Sequence, residues 1–407
     1  MSWFTPRRLA RYKSLLIELI GVRSPHGAEA PAAAWTARQL ADIGVTADLF
    51  DPPLDALADH PGFTPTGSDF ANRPCVCARV PGTGSGRSLI LNAHLDTAPV
   101  DPDARWRFPP HQGVEAEGRI YGRGAWDDKA GVVMALALAE AFRDAPRGGD
   151  LILHFVCDDE MGGNGSLAAL ERGYVGDGAV ILDGTWPERL ITDHMGQLWM
   201  TLTLRGVAAP ACNSARGKNP LDAVGDLIVA MNQRERQWRA PAPQSWGTAV
   251  NPQFLTVGQV VSGGGPFAVP AAARLACQAG FLPPRSFTEV RAEIATLVQT
   301  VLADHDYGTA DYDMAITGFD PLIWADANPL ARRLQRVLEA RTTRPVRRLA
   351  VTGHCDLRHF HRLGIPACLH GPGGGENAHI ENEFYHWPHF LLVAENMLAF
   401  MAEWMTE

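Results

Sequence analysis

The sequence lacks the features that mark secreted, membrane-spanning or nucleic-acid-binding proteins. Its seven cysteines are scattered and form no C-x-x-C pair, which favours reduced thiols and a cytoplasmic protein over a disulfide framework. No apolar run approaches a membrane span, and residues 1–25 carry Arg, Lys and Glu at helical spacing, which predicts a packed amphipathic helix rather than a signal peptide. No basic block offsets the net charge of -9, so we expect no nucleic-acid and no membrane partner.

The composition is that of a globular protein with more than one core. Hydrophobic residues make up 46% and charged residues 20% of a 407-residue chain. Short runs that are apolar throughout, as in strands buried on both faces of a sheet, occupy 87–94, 151–157, 178–183 and 364–370. Helical patterns alternate with them at about 127–146, 328–341 and 387–405. We therefore predict an α/β fold with a mixed, mostly parallel sheet flanked by helices.

Residues 196–319 follow a different pattern. Half-exposed strands and two amphipathic helices succeed one another in the order βαββαβ, which is typical of a small α+β, ferredoxin-like sheet with two helices on one face. We therefore expect an inserted domain over 196–319, between the two parts of the main domain at 1–195 and 320–407.

Acids and histidines collect where the predicted strands end and the helices begin. They are His94, Asp96, Asp127, Asp128, Asp158, Asp159, Glu160, Asp183 and His379. Taken singly, each has an ordinary interpretation as a helix cap, a turn residue or a hydrogen-bonded loop histidine. Together, at the strand ends where α/β sheets place their sites, they indicate divalent cations, and zinc accepts both donor types. Two cations would also relieve the repulsion within the acid triplet of "VCDDEMGG".

These motifs also have a family resemblance. The ordered pieces are H-x-D at 94–96, G-R-G-x-x-D-D-K at 122–129, the acid triplet with its glycine turn at 158–163, Asp183, and G-P-G…A-H-x-x-N-E at 371–383. The chain resembles the di-zinc amidohydrolases and metallopeptidases that include aminoacylase, acetylornithine deacetylase, succinyl-diaminopimelate desuccinylase and glutamate carboxypeptidase. The resemblance covers nearly the whole chain and implies a zinc-exopeptidase-like main domain with an inserted lid or dimerisation domain.

The resemblance implies two divalent metal ions, with zinc first and cobalt or manganese as alternatives. One ion would take His94 and Asp183, the other would take Glu160 and His379, and Asp127 would bridge them.

The resemblance also implies a proton-transfer residue. The family normally has Glu just before its metal-binding Glu, and here that position is Asp159, which would act as the general acid/base. The alternative is that the shorter acid has lost this role. Asp96 would complete the catalytic set by orienting the metal-binding histidine, and no role follows for Asp128.

The inserted domain departs from the family. Where the resemblance implies a His that stabilises an oxyanion, an Asn, and an Arg that holds a substrate carboxylate, the chain has Pro210, Phe267 and Gly280. The joint loss of three polar contacts predicts a changed substrate. Other residues could contact the substrate instead, and they are Phe267, Asn213, Ser214, Arg216, His354, Arg358 and His359. Each also has an ordinary interpretation as an exposed loop residue, a core residue or a helix-surface residue.

We predict a metal-dependent hydrolase that cleaves an amide C–N bond of a small molecule through attack by a metal-bridging water. The alternatives are deamination of an aromatic or amidine-like amine and a catalytically silent homologue that binds a ligand. The changed inserted domain predicts poor turnover of N-acyl amino acids with a free α-carboxylate, because an unpaired buried carboxylate is costly. A homodimer through the inserted domain is one option, although the missing His removes one reason to expect it.

Overall fold

A computed structural model describes residues 2–67, 69–239, 253–263, 265–324, 327–351, 353 and 355–407. The chain divides into two compact units. The first unit contains Met1–Thr192, Trp324–Leu349 and Cys355–Glu407, and the second contains Asp193–Ile323 and Ala350–His354. The domain boundaries expected after residues 195 and 319 stay a prediction.

Helices and strands succeed one another along both units. The helices are α1 Pro6–Gly21, α2 Ala30–Asp42, α3 Leu54–Leu57, α4 Lys129–Asp144, α5 Asn164–Glu171, α6 Pro220–Trp238, α7 Phe287–Asp304, α8 Pro329–Thr342, α9 Leu357–Arg362 and α10 Pro388–Trp404. The first strands are β1 Ala47–Phe50, β2 Cys75–Val80, β3 Leu89–His94, β4 Val114–Ala116, β5 Arg119–Tyr121, β6 Leu151–Val156, β7 Ala179–Ile181, β8 Arg189–His194, β9 Gly196–Arg205 and β10 Ala209–Pro210. The remaining strands are β11 Phe254–Ser262, β12 Ala268–Val269, β13 Ala272–Phe281, β14 Tyr312–Phe319, β15 Leu322–Ile323, β16 Arg347–Val351, β17 Ala367–Leu369, β18 Gly375–Glu376 and β19 Phe384–His386.

The sheet of the first unit is parallel at its centre. Strands β6, β3, β7 and β17 lie side by side and run parallel. Strands β2 and β1 add to one edge and β8 to the other, all antiparallel. The four central strands coincide with the four apolar runs of the sequence, so the predicted mostly parallel sheet is confirmed. Every residue of β3 and β6 is buried, as expected for strands covered on both faces.

Helix α4 begins directly after the acidic pair of the G-R-G-x-x-D-D-K motif. Its segment "KAGVVMALALA" is apolar on nearly all sides, which is the composition of a helix surrounded by protein. It packs on β3 and β6 and against α1 and α10. Burial of α4 therefore fixes the position of the acids that precede it.

A small four-stranded sheet in the order β18-β19-β5-β4 joins two distant parts of the first unit. Phe384 of β19 pairs with Tyr121 of β5 in an antiparallel ladder. The pairing brings the glycine-rich loop that contains His379 next to the segment that contains Asp127.

The second unit is an antiparallel sheet of order β11-β13-β9-β14 with helices α6 and α7 packed together on it. Leu202, Leu227, Val290 and Ile294 are fully buried within its core. Helix α7 starts at a capping box in which Ser286 and Glu289 each bond the other's backbone N–H. The predicted α+β, ferredoxin-like arrangement is confirmed. Within the described residues, the helices are too short or too polar to cross a membrane.

Candidate metal centre

The predicted ligands converge at one edge of the parallel sheet. Strand β3 ends at His94, and β6 runs into the acid turn, which we define as residues 158–163. Asp183 follows β7, Asp127 precedes α4 by two positions, and His379 lies in the loop between β18 and β19. Because the carboxyl ends of parallel strands meet at one edge, side chains that are distant in sequence come together there.

Asp127 lies between two histidines. One of its carboxylate oxygens is 2.9 Å from Nε2 of His94, and the other is 3.0 Å from Nε2 of His379. Nε2 of His379 is also 2.9 Å from a carboxylate oxygen of Glu160. The two oxygens of Asp127 therefore face two separate sets of nitrogen and oxygen atoms, which is the arrangement of a bridging carboxylate.

The potential ligands form two groups of three, and the ligand atoms within each group lie within 4.8 Å of one another. Group 1 consists of His94, Asp159 and Asp183, and group 2 consists of Asp127, Glu160 and His379. Five of these six are the ligands predicted from the sequence. The sixth, Asp159, is predicted to transfer protons, and its Oδ2 lies 3.9 Å from Nε2 of His94.

The donor chemistry and electrostatics of both groups fit divalent cations. Imidazole nitrogens mixed with carboxylate oxygens are donors that zinc accepts. Burial and then the charge of Asp127 raise the pKa of Asp183 to about 6, and the same two causes raise the pKa of Glu160. Oε1 of Glu160 is buried without a hydrogen-bond partner among the described residues. Cations at this edge would favour the ionised acids and supply the missing partner.

Asp96 positions both the acid turn and the imidazole of His94. Its two carboxylate oxygens accept hydrogen bonds from the backbone N–H groups of Asp159, at 3.2 Å, and Glu160, at 3.1 Å. Its backbone oxygen lies 2.9 Å from Nδ1 of His94, while the nearer carboxylate oxygen lies 3.6 Å from that nitrogen. The catalytic role predicted for Asp96 stays a prediction, and these contacts suit a positioning residue.

The two residues after Asp127 are buried and serve the framework. Asp128 accepts a hydrogen bond from the backbone N–H of His94 at 3.2 Å, and burial raises its pKa well above the usual range. The ammonium of Lys129 donates to the carbonyl oxygens of Leu19 and Val22, at 3.1 and 2.6 Å, at the C-terminal end of α1. Burial lowers the pKa of Lys129 to about 7, and its side chain satisfies two of the last carbonyl oxygens of the helix.

Asp158 has protein partners that the sequence did not reveal. Its carboxylate is fully buried and lies 2.9 Å from Nε2 of His26 and 3.2 Å from Nη2 of Arg73. It also accepts a hydrogen bond from the Asn164 side chain at 2.7 Å. Arg73 in turn pairs with buried Glu29 at 2.7 Å. The proposal that cations alone relieve the acid triplet is therefore incomplete, because an arginine that is shared with Glu29 pairs with its first member.

Glu383 positions the segment around Asp127. Its buried carboxylate accepts hydrogen bonds from the Arg123 guanidinium at 2.8 Å and from the backbone N–H groups of Gly124, Trp126 and Asp127 at 2.9 to 3.2 Å. The sequence signal for this residue was its place at the end of the A-H-x-x-N-E motif. Its structural role could be found only from the fold.

Arg358, which is predicted to contact substrate, lies against the acid turn. Its guanidinium donates to Thr64 Oγ1 at 3.3 Å and to the carbonyl oxygen of Gly162. Gly163 has φ 62°, and a Cβ at that position would clash with the carboxylate of Asp356. The substrate role of Arg358 stays a prediction, as does that of buried His359. His354 lies outside the described residues.

The other predicted substrate contacts belong to the second unit. Phe267 is 80% exposed, and Asn213, Ser214 and Arg216 are exposed on a short 3₁₀ helix at Ala211–Arg216. Pro210 pairs with Ala268 in a two-residue ladder, and Gly280 of β13 packs under the ring of Phe254. A larger side chain at position 280 would clash with that ring. The substrate contacts of this unit stay predictions.

Comparisons with known proteins identify the family of this chain. Residues 90–403 match the model of peptidase family M20/M25/M40. An N-formyl-4-amino-5-aminomethyl-2-methylpyrimidine deformylase of Halalkalibacterium halodurans is 28% identical over 368 residues, covering 82% of this chain and 84% of the relative. The Bacillus subtilis deformylase of the same name is 25% identical over 442 residues, covering 98% and 96%. A Bacillus subtilis structure described as a dinuclear metal-binding M20 peptidase superimposes with a TM-score of 0.64 at 12% identity, covering 98% of both chains.

The family match covers most of the chain, and it includes every predicted metal ligand from His94 to His379. The resemblance inferred from the ordered motifs is confirmed, as is the expectation that the protein is a hydrolase. The chain belongs to peptidase family M20/M25/M40.

Proposed function

We propose that the protein uses two divalent cations, zinc first and cobalt or manganese as alternatives, to hydrolyse the amide bond of a small N-acyl amine. The observation that carries the proposal is the position of Asp127, whose two oxygens lie 2.9 Å from Nε2 of His94 and 3.0 Å from Nε2 of His379. With Asp183 on the first side and Glu160 on the second, each cation would have protein ligands besides the shared carboxylate. When bound, the pair would polarise the amide carbonyl and lower the pKa of a water between them.

Asp159 is the proposed general acid/base. Its carboxylate takes a proton from the attacking water as the new C–O bond forms, and it gives the proton to the nitrogen as the C–N bond breaks. The products are a carboxylic acid and a free amine. Asp96 holds the backbone N–H of Asp159 at 3.2 Å, which fixes the turn that presents the acid. Because Oδ2 of Asp159 is 3.9 Å from Nε2 of His94, direct metal ligation is the alternative role.

The proposed substrate class is a short acyl group on an aminomethyl-substituted heteroaromatic ring, with a formylated aminomethylpyrimidine as the first candidate. Two deformylases named for such a compound align over more than four fifths of this chain and of their own length. The three positions expected to bind a substrate α-carboxylate or oxyanion are Pro210, Phe267 and Gly280, and none has a polar side chain. A ring without a carboxylate would need no such partner.

The test is a comparison of kcat/KM values in metal-loaded enzyme. We expect the formylated aminomethylpyrimidine to exceed N-acetyl and N-succinyl amino acids by at least about 10²-fold, since an unpaired carboxylate is costly to bury. Amino-acid substrates turned over at about 10⁴ M⁻¹s⁻¹ or above would overturn the substrate class. Release of ammonia in place of formate would favour the deaminase alternative. Full metal occupancy without turnover on a broad amide panel would favour the silent binding homologue.

We also propose a cytoplasmic homodimer without nucleic-acid or membrane partners. All seven cysteines are free thiols, which suits a reducing compartment. Strand β11 is an edge of the second unit's sheet, and its Val260 and Val261 are 42% and 52% exposed, as suits an edge that pairs with another chain. Sedimentation equilibrium tests the dimer, and replacing both valines with lysine should shift the protein to monomer. A wild-type monomer at assay concentrations would contradict it.

A further inference from the structure

A cavity of about 400 Å³ opens beside the candidate metal centre, within the first unit. Its walls come from the loop 101–106, the loop 379–381 and Arg123. We call it the His379 cavity. A volume of this size falls within the usual range for small-molecule pockets, about 300–1,000 Å³.

The cavity adjoins the reacting centre through one residue. His379 lines it, and Nε2 of the same imidazole is 3.0 Å from Asp127 and 2.9 Å from Glu160. The His379 side chain is 56% exposed, which leaves room beside it. A group attached to the amide nitrogen could therefore extend past His379 into the cavity while the carbonyl stays at the centre.

Two residues of the lining, Arg123 and Trp106, carry buried N–H groups that make no hydrogen bond among the described residues. Arg123 is 2% exposed, and one of its Nη groups donates a hydrogen bond to Glu383 at 2.8 Å. Its Nε–H and the indole N–H of Trp106 are both buried without a hydrogen-bond partner among the described residues. The guanidinium carbon of Arg123 lies 5.3 Å from the centre of the Trp106 ring, so the two donors belong to one aromatic–cation pair. Buried donors of this kind lack an acceptor, which a water or a ligand would supply.

The rest of the lining provides acceptors and negative charge. Among the described lining residues, Asp101, Asp103 and Glu381 are exposed carboxylates, and Arg105 is an exposed guanidinium. The charge of Arg123 is already balanced by Glu383. This excess of carboxylates repels an anionic group but accepts hydrogen bonds from an amine.

We propose that the His379 cavity binds the amine side of the substrate. It selects an uncharged or cationic heteroaromatic ring that carries acceptor nitrogens in the ring and an amino group as a substituent. The inference rests on the proposed function and assigns Trp106 and Glu381 as specificity-determining residues. Ring nitrogens accept from Trp106 and Arg123, and the exocyclic amino group donates to the carboxylates. A ring that carries a carboxylate is disfavoured by the same acids.

The experiment compares metal-loaded wild type with Trp106→Phe, which keeps the aromatic ring but removes the N–H. With the formylated aminomethylpyrimidine, KM should rise about fivefold to tenfold, the effect of one lost hydrogen bond, while kcat and metal content stay unchanged. With N-formylbenzylamine, whose ring has no nitrogen, KM should not change. Calorimetry should show the same loss of affinity for the free aminomethylpyrimidine, and this readout does not depend on turnover.

A second variant and a matched control keep the test informative if Trp106→Phe folds poorly. Glu381→Gln removes one negative charge and should raise kcat/KM several-fold for 4-(formylaminomethyl)benzoate. The control is Arg107→Gln, which should change neither KM for the formylated aminomethylpyrimidine nor kcat/KM for 4-(formylaminomethyl)benzoate. Arg107 lies next to the loop, but it pairs with Glu117 at 2.8 Å and does not line the cavity.

The outcomes separate the two proposals. If wild type hydrolyses no formyl amide but binds the free aminomethylpyrimidine, and Trp106→Phe weakens that binding, the proposed function fails and the cavity assignment stands. If wild type hydrolyses the pyrimidine amide but neither Trp106→Phe nor Glu381→Gln changes ring selectivity, the cavity assignment is overturned. Failure of wild type to bind the free amine also overturns it.

Discussion

Asp158 and Asp159 are adjacent in the chain but lie in different electrostatic environments. Asp158 is fully buried, with Arg73 at 3.2 Å and His26 at 2.9 Å from its carboxylate. Asp159 is 16% exposed, and its carboxylate lies 3.9 Å from Nε2 of His94. Asp158 has φ 70°, so the backbone turns at the point where the two side chains part.

The difference teaches how one short turn can carry three acids. The protein pairs the first acid, which is buried from solvent, with an arginine and a histidine of its own. For the second acid, burial and then the charge of Asp356 raise the pKa well above the usual range. The first acid therefore belongs to the framework, and proton transfer is proposed for the second.

The largest expected effect comes from removing the carboxylate that both ligand groups share. Asp127→Ala should lower bound metal from two ions per chain to nearly none, because the bridge is lost and the remaining acids repel one another. Turnover should fall below detection. Elemental analysis of the purified variant measures the metal directly, and full occupancy in Asp127→Ala would contradict the ligand assignment.

Asp159→Asn tests whether the second acid serves proton transfer or metal binding. As the general acid/base, its loss should cut kcat by about 10²–10⁴ while metal content stays at the wild-type level. If Asp159 is a ligand of group 1, the same variant should lose metal from that group. Turnover close to wild type with both ions bound would place the proton transfer on another residue.

Arg73→Met tests the framework side of the comparison. The change leaves the buried carboxylates of Glu29 and Asp158 without their shared cation, and breaking such a pair costs about 3–5 kcal/mol of unfolding free energy. Urea unfolding of the metal-loaded protein measures the loss. Arg79→Met is the matched control, since its pair with Asp150 is 3.1 Å long and exposed, and exposed pairs contribute about 0–1 kcal/mol. Equal losses in the two variants would refute the framework role of Asp158.

The sequence predicted the parts of the centre that local patterns can show. Apolar runs located the buried parallel strands, and acids and histidines near strand ends and helix starts indicated cations. The family resemblance then implied His94, Asp127, Glu160, Asp183 and His379 as the ligands. For His94, Glu160 and Asp183, which lie at or after the ends of β3, β6 and β7, the prediction that they converge needs no knowledge of loop paths, because the ends of parallel strands meet at one edge. Patterning also located the inserted α+β unit, because its alternating strands differ from the buried runs.

The remaining features depend on tertiary contacts that no local pattern shows. Arg73 precedes Asp158 by 85 positions and reaches it only because β2 and β6 are neighbours in the sheet. The contact of Arg358 with the carbonyl oxygen of Gly162 spans 196 positions. The hydrogen bonds that Glu383 accepts from the segment around Asp127 join residues more than 250 positions apart. Long-range polar pairs of this kind leave no periodicity in the sequence.

The smallest expected effect extends the comparison to two imidazoles, one beside an acid and one beside a backbone carbonyl. Burial lowers the pKa of His26, but the hydrogen bond with Asp158 raises it, and the net shift of the pKa is upward. Burial lowers the pKa of His154 to about 4, and its Nε2 lies 2.8 Å from the carbonyl oxygen of Tyr174. His154 therefore stays neutral in the folded protein at pH values where the unfolded chain binds a proton.

Since the folded pKa of His154 lies below the unfolded value, its contribution is fully present above pH 6.5 and is lost as the pH falls towards 4. Between pH 7 and pH 5 the loss amounts to about 2 kcal/mol of unfolding free energy, at 1.36 kcal/mol for each pH unit below the unfolded pKa. His154→Gln keeps a donor for the Tyr174 carbonyl but cannot titrate. Urea unfolding of both proteins at pH 7 and pH 5 measures the two differences. The variant should lose about 2 kcal/mol less than wild type over this interval, and an identical pH dependence in the two proteins would show that His154 is not kept neutral by burial.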